Sequence, residues 1–269
     1  MRMQVACWFC SVIMLISTLA PGGQISQGLG SLSPKQKAAV GRKIWQNECA
    51  GSVAGLTTWN AGEEFPSLGI GHFIWYPAGF RGRFSESWPH FIDFARKQRV
   101  PIPAIAREPH SPWNSKAEFQ KDFKGDRMSE LRKWLSENVP LQTDFIIARS
   151  REALPKILAA APASEKMRIG ANYHKVSSTP HGTYALIDYV NFKGDGIQVA
   201  ERYQGYGWGL LQVLGGMKDV ASGHAAAVEF SASAKRVLSR RIANSPSTRG
   251  ESRWLDGWHH RCETYAKPL

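Results

Sequence analysis

The chain has 269 residues, of which 43% are hydrophobic, with 10 tryptophans and a formal net charge of +12. The hydrophobic content excludes an intrinsically disordered chain, and the length permits one sizeable core or two lobes. The positive charge favours anionic partners. Because the basic residues are scattered and no nucleic-acid motif is present, we expect no nucleic-acid ligand.

The first 26 residues have the pattern of a secretory signal peptide followed by a flexible leader. Arg2 precedes an apolar run at residues 5–16, which closes at Ser17–Ala20. The run is too short for a comfortable membrane span. We therefore expect a periplasmic or secreted protein, without stable membrane insertion once the signal is removed, and a single domain at residues 27–269.

A helix is predicted to begin after Ser33, with Pro34 at its first position and Gln36 completing a capping box. Val40, Ile44 and Glu48 are spaced four residues apart and therefore share one helix face. Two of the three are apolar, so we expect Glu48 to be partly buried and its pKa to be raised, as a general acid requires. The alternative is an ordinary solvated glutamate in the last turn.

A small β-hairpin lobe is predicted at about residues 51–78. The segment is rich in Thr, Trp and Phe, turns at 60–62, continues through Glu63 and Glu64, and ends in the run Ser67-Leu68-Gly69-Ile70-Gly71-His72. Glycines in that run permit a close approach of the backbone to a neighbour. An isolated acid facing a loop with further acids is the layout that glycosidic bond cleavage uses.

This stretch resembles the lysozyme-like superfamily, in which a helix ends in a catalytic glutamate and a hairpin closes with a Gly-x-Gly-His run. The resemblance implies a mostly helical α+β fold with a cleft between the hairpin lobe and a helical lobe. It assigns Glu48 as the acid and aligns Ser67 with the active-site threonine of the family. His72 is then a substrate-binding or structural residue.

The second catalytic group departs from the family pattern. The family places an aspartate about six residues before its threonine, where this chain has Ala61, and the distance along the chain from Glu48 to Ser67 is longer. Glu63 and Glu64 are the acids nearest that position, and strand alternation turns them to opposite faces. We expect one of them to face the cleft, with a slight preference for Glu64.

A second informative stretch runs from Tyr184 to Gly216, where polar and aromatic residues flank glycines. Its Gly-Leu-Leu-Gln run resembles the Gly-Leu-Met-Gln run of lytic transglycosylases. We predict that four residues of this stretch line the opposite wall of the cleft, because sugar faces stack on rings while hydroxyls need fixed polar partners. These residues are Tyr189, Asn191, Tyr203 and Gln212. The alternative is a Gly-rich loop before a core helix.

The remaining patterns are structural. Helices are predicted at about 87–100, 115–138, 141–161, 164–176, 221–241 and 251–265. Cys49 and Cys262 form an even pair in an exported chain and are disulfide candidates, with two free buried thiols as the alternative. His259 and His260 lack metal-ligand spacing relative to Cys262, so we expect neither a metal nor a cofactor.

The sequence therefore predicts an exported, monomeric muramidase that acts on peptidoglycan glycan strands. Glu48 would protonate the glycosidic oxygen, and Glu64 or Glu63 with Ser67 would position water, which favours inversion. A positively charged protein suits polyanionic peptidoglycan and would repel polycationic chitosan. Two alternatives stay open: a lytic transglycosylase using Glu48 alone, and a non-catalytic wall-binding protein of the same fold.

Overall fold

The computed structural model describes residues 29–82 and 84–269, and the predicted signal peptide and leader, residues 1–26, lie outside this range. The described chain is mostly helical with two small antiparallel sheets, so the predicted α+β class is confirmed. The helices are α1 (Pro34–Cys49), α2 (Trp88–Lys97), α3 (Lys116–Lys121), α4 (Asp126–Glu137), α5 (Val139–Ala160), α6 (Lys166–Ser177), α7 (Pro180–Lys193), α8 (Leu210–Gly215), α9 (His224–Asn244) and α10 (Leu255–Glu263).

The start of α1 confirms the predicted capping box. The Ser33 hydroxyl accepts a hydrogen bond from the backbone N–H of Gln36, and the Gln36 side chain accepts one from the backbone N–H of Ser33. The helix ends at Cys49 and is capped by Ala50, which has a left-handed φ of 50°. Val40 and Ile44 are fully buried on the face that packs against α5. This packing directs the last turn, and with it Glu48, towards the interior.

The predicted hairpin lobe is a three-stranded antiparallel sheet of β1 (Thr57–Thr58), β2 (Ser67–Leu68) and β3 (Phe73–Ile74). Strand β2 lies in the middle, with Thr57 opposite Leu68 on one side and Phe73 opposite Leu68 on the other. A separate hairpin pairs β4 (Arg202–Tyr203) with β5 (Tyr206–Gly207).

One continuous hydrophobic core joins the two ends of the molecule. Near the three-stranded sheet it is aromatic: Trp75 stacks on Trp88 and Phe73 stacks on Phe91. At the other end α7, α9 and α10 pack around tyrosines that are fully buried. The boundary between these two ends carries the polar residues described below.

The stretch from Tyr184 differs from its predicted form, because its first ten residues belong to α7. Thr179 caps this helix by accepting the N–H of Gly182, and Pro180 occupies its first position. The glycines that dominated the pattern come later, and Gly194 ends the helix. None of the helices within residues 29–82 and 84–269 combines the length and apolarity of a membrane span.

Candidate active site

The Glu48 carboxyl lies in the last turn of α1 with 12% of its side chain exposed. Its Oε1 accepts hydrogen bonds from Arg261 Nη2 at 2.7 Å and from Asn191 Nδ2 at 3.3 Å. Its Oε2 is 3.5 Å from Nδ1 of His72. Glu48 is therefore a held, mostly buried carboxyl, and the alternative of a solvated last-turn glutamate is wrong.

The pKa of Glu48 is lowered, opposite to our expectation. Burial is the largest single influence and raises this pKa, but the positive charge of Arg261, with a smaller contribution from His72, outweighs it. The sequence pattern revealed the apolar neighbours in α1. It gave no indication that α10 would place a guanidinium against the carboxyl. In the resting site Glu48 is a carboxylate.

Arg261 is anchored by Asp188, a residue of α7 whose side chain is fully buried. Arg261 Nε and Nη2 donate to the two carboxylate oxygens of Asp188, each at 2.8 Å. The Tyr265 hydroxyl donates to Asp188 Oδ2 at 2.7 Å, and Asn47 donates to Oδ1 at 3.4 Å. The buried charge is thus paired and hydrogen-bonded, as a buried carboxylate requires.

Sequence reasoning missed the Asp188–Arg261 pair as part of the site. Two signals pointed to it. Asp188 is four residues after Tyr184 on the buried face of α7, and Arg261 stands three residues after Trp258 and four before Tyr265. A charged residue on a core-facing stripe needs a buried partner of opposite charge, and these two satisfy each other.

His72 reaches Glu48 because residues 69–72 form a tight turn. Gly69 has a φ of 68°, and a Cβ added there would lie 2.3 Å from Oε1 of Gln142, so only glycine fits. The fully buried Gln142 accepts the N–H of Ile70 at 2.9 Å. His72 itself has a left-handed φ of 46°, uncommon for a residue with a side chain. Its Nε2 is buried and without a partner among the described residues.

The two candidate acids of the hairpin lobe differ, and the structure reverses our preference between them. Glu64 is exposed. Glu63 is partly buried, and its Oε2 accepts from Asn60 at 3.0 Å. Burial raises the pKa of Glu63, while the Asn60 hydrogen bond and the charge of His72 act in the opposite direction. His72 therefore interacts electrostatically with both Glu48 and Glu63. Ser67 is buried in the central strand β2.

Of the four residues predicted to line the opposite wall, only Asn191 contacts Glu48. Tyr189 is wrong as a cleft residue: it is fully buried, and its hydroxyl donates to the Trp208 carbonyl at 2.8 Å. Gln212 is structural, since its amide bridges the N–H of Gly209 and the carbonyl of Gly196. Tyr203 donates to Glu251 at 2.8 Å in a neighbouring cluster.

Lys193 follows Asn191 at the end of α7, and its Nζ lies 3.5 Å from the ring centroid of Trp258. Burial, followed by repulsion from Arg241 and Arg261, moves the pKa of Lys193 well below its usual range. The negative charge of Glu48 acts in the opposite direction. The positive charges that influence Glu48 therefore include this lysine as well as Arg261.

The predicted disulfide is wrong, because Cys49 and Cys262 are both free and buried. Their neighbours Glu48 and Arg261 face each other, and one step along a helix turns a side chain by about 100°. The Cys49 thiol points instead towards the Gly69 carbonyl, 3.8 Å away. Burial raises the pKa of each thiol to about 12. Within the described ranges no cluster of acids, histidines and cysteines is arranged to hold a metal ion.

Two surface cavities, of about 590 and 360 Å³, lie away from Glu48. The larger is lined by α5 and the end of α2, and the smaller by α9 and the C-terminal residues. Neither contains a residue of the site described above. No protein-family model, curated protein or solved structure matches this chain.

Proposed function

We propose that this protein is an exported, lysozyme-like muramidase that cleaves the glycosidic bond between N-acetylmuramic acid and N-acetylglucosamine in peptidoglycan. One observation carries the proposal: the Glu48 carboxyl is 12% exposed and is fixed by groups from α7, α10 and the 69–72 turn. An oriented carboxyl beside a loop that carries a second acid is the equipment that glycoside hydrolysis needs.

Glu48 is the general acid in this proposal, and Glu63 replaces Glu64 as the preferred second carboxyl. Glu48 gives its proton to the leaving glycosidic oxygen while Glu63, with the Ser67 hydroxyl, orients a water molecule for attack. The raised pKa of Glu63 makes its ionised form a stronger base but lowers the fraction of Glu63 that is ionised at a given pH. Asn191 and Arg261 hold Glu48 Oε1, which leaves Oε2, on the His72 side, as the oxygen that delivers the proton.

The lowered pKa of Glu48 sets the pH at which this chemistry operates. A general acid must carry its proton, so only the protonated fraction of Glu48 is active, and that fraction falls as the pH rises. A sugar chain over the carboxyl removes further water and shifts the pKa upwards, in the direction in which burial already acts. We therefore expect an acidic optimum.

Peptidoglycan is the favoured substrate because of its charge. The chain carries 34 basic and 22 acidic residues, and peptidoglycan presents carboxylates on its peptides. Neutral chitin lacks this attraction, and polycationic chitosan is repelled.

A lytic transglycosylase is the second candidate, and the state of the hairpin acids favours it. Glu64 is exposed, and the raised pKa of Glu63 makes it less ready to act as an anion. A transglycosylase needs a single carboxyl that acts first as acid and then as base, which Glu48 supplies.

Purified protein incubated with isolated sacculi tests both candidates, with mass spectrometry of the released sugars. Reducing ends support the hydrolase, and 1,6-anhydro ends support the transglycosylase. The Glu48→Gln variant, which keeps the size of the side chain, is the control and should release neither. Release at the wild-type rate by that variant would reject Glu48 as the general acid. Wall binding by the wild type without any release of sugars would indicate a non-catalytic wall-binding protein.

A further inference from the structure

A series of stacked cationic and aromatic side chains leads from Glu48 to the surface. The Arg261 guanidinium, which contacts Glu48, lies 4.0 Å from the ring centroid of Phe192. The Lys193 ammonium lies 3.9 Å from that of Phe192 and 3.5 Å from that of Trp258. Trp258 in turn packs on Trp254, with 5.9 Å between centroids. Exposure rises along this series, from 7% for the Arg261 side chain to 39% for Trp254.

Cationic and aromatic side chains also alternate on the other side of Trp258. Arg241 lies 4.9 Å from the ring centroid of Trp258 and 4.0 Å from that of Trp208. Its neighbour Arg240 lies 4.8 Å from the ring of Tyr206, which is 53% exposed at the tip of the β4–β5 hairpin. Arg253 covers Trp254 at 4.6 Å. We call the exposed part of this array the aromatic–basic face; it consists of Tyr206, Arg240, Arg253, Trp254 and Trp258.

The charge of this face is only partly neutralised. Residues 240–258 contain four arginines and two acids. One of those acids, Glu251, is buried beneath the face and is already bound by Arg241 and Arg249, while Asp256 is exposed. Arg240 and Arg253 form no ion pair within residues 29–82 and 84–269. Rings that present flat faces between free guanidinium groups match a ligand with both apolar sugar faces and negative charges.

We propose that the aromatic–basic face is a second binding surface, which holds a carboxylate-bearing glycan strand outside the site at Glu48. The proposal rests on the proposed function only for the kind of glycan; binding itself requires no catalysis. Rings at this face stack on sugar rings, and Arg240 and Arg253 pair with carboxylates along the strand. Packing contacts from Trp254 through Trp258 and Lys193 connect this face to the residues that hold Glu48.

A membrane surface is the competing ligand, and the composition of the face disfavours it. Its exposed aromatics lie against guanidinium groups, and no exposed Leu, Ile or Phe accompanies them among the described residues. A membrane-binding surface typically presents an uncharged apolar face on which Leu or Phe accompanies Trp.

Binding measured in the Glu48→Gln background tests the proposal without interference from turnover. The ligands are purified sacculi, sacculi whose carboxylates have been amidated, chitin, and anionic phosphatidylglycerol vesicles. The Tyr206→Ala/Trp254→Ala double variant should weaken binding to native sacculi about tenfold. Arg253→Gln removes the positive charge and leaves a shorter polar side chain, so it tests the guanidinium group. Amidated sacculi should bind less tightly than native ones, and added salt should narrow that difference.

Two exposed residues outside this face provide matched controls: Met167→Ala for apolar area and Arg127→Gln for charge. Thermal unfolding of every variant identifies any that fail to fold, and Arg253→Gln then carries the test. Equal binding by the parent and by the face variants would overturn the proposal, as would binding to vesicles in preference to sacculi. If the wild type does not lyse sacculi, but binding still depends on the aromatic–basic face, only the proposed function would be rejected.

Discussion

The two sides of Glu48 are built differently. On the helical side, α7 and α10 supply a buried ion pair, in which Asp188 receives hydrogen bonds from Arg261 and Tyr265. On the sheet side, a turn held by Gln142 supplies His72, which has one buried nitrogen without a partner among the described residues. The polar side chains on the helical side are thus hydrogen-bonded to one another. The sheet side keeps unused hydrogen-bonding capacity, and this is where we expect substrate to bind.

Replacing the Glu48 carboxyl, which lies between these two sides, should have the largest effect on lysis. Glu48→Gln removes the proton donor but keeps the side-chain volume, so lysis of sacculi should fall about 100- to 10,000-fold. Turbidity loss of a sacculus suspension measures this. Glu64→Gln is the matched control, because Glu64 is exposed, and it should keep the wild-type rate within a factor of about two.

Breaking the helical side should cost stability. Asp188→Asn leaves the Arg261 charge without its main partner, and loss of one member of a buried pair typically costs about 3–5 kcal/mol of unfolding free energy. Urea unfolding followed by circular dichroism measures the change. The matched control is Asp144→Asn, whose exposed pair with Lys37 should contribute less than about 1 kcal/mol. Equal effects of the two substitutions would contradict the role assigned to the buried pair.

Loosening the sheet side should cost less. Gln142→Leu leaves the Ile70 N–H buried without an acceptor, which costs about 1–3 kcal/mol. Because this bond holds the turn that carries His72, lysis should also fall more than global stability alone explains. The comparison of the unfolding curve with the rate at a temperature well below unfolding separates the two effects.

The second carboxyl decides between the two candidate reactions. Under the hydrolase proposal, Glu63→Gln should slow lysis about tenfold or more, because water loses its orienting base. Under the transglycosylase alternative it should leave the rate close to wild type and the products as 1,6-anhydro sugars. Product masses from this variant, compared with those from Glu64→Gln, give the answer.

The thiols of Cys49 and Cys262 should contribute nothing to stability as a disulfide and should not react in the folded protein. Cys49 and Cys262 are unpaired, so a reducing agent should leave the melting temperature unchanged. Their raised pKa values, about 12, keep both thiols protonated and unreactive until the protein unfolds. Titration with a thiol reagent, before and after denaturation, tests this. A melting temperature lowered by a reducing agent would instead support a disulfide between Cys49 and Cys262.

The difference between the sides also explains what the sequence could predict. The cap at Ser33, the face of α1 and the Gly-Ile-Gly-His turn depend on residues close together in the chain, so local patterns were sufficient. Asp188 and Arg261 are 73 residues apart and meet only when α7 packs against α10. The depth of Tyr189 has the same origin, since α9 and Tyr265 cover it. The lowered pKa of Glu48 was missed because its cause, Arg261, comes from that long-range packing.

The same cause makes stability depend on pH. A glutamate whose folded pKa is lowered stabilises the fold above its unfolded pKa, and this contribution is lost as the pH falls through the folded pKa. The Glu48→Gln variant should therefore lose less stability on acidification than the wild type. Activity depends on pH in the opposite direction, because protonation of Glu48 weakens its ion pair with Arg261 but supplies the proton that the reaction uses.

The pH profile of sugar release from purified sacculi tests the central claim most directly, with the wild type and Glu48→Gln measured side by side under conditions where both are folded. We predict that release by the wild type is greatest at acidic pH and falls as the pH rises above the range in which Glu48 and Glu63 ionise, and that the variant releases at least about 100-fold less at every pH. Release that keeps increasing towards neutral and alkaline pH, or equal release by both proteins, would contradict proton donation by Glu48.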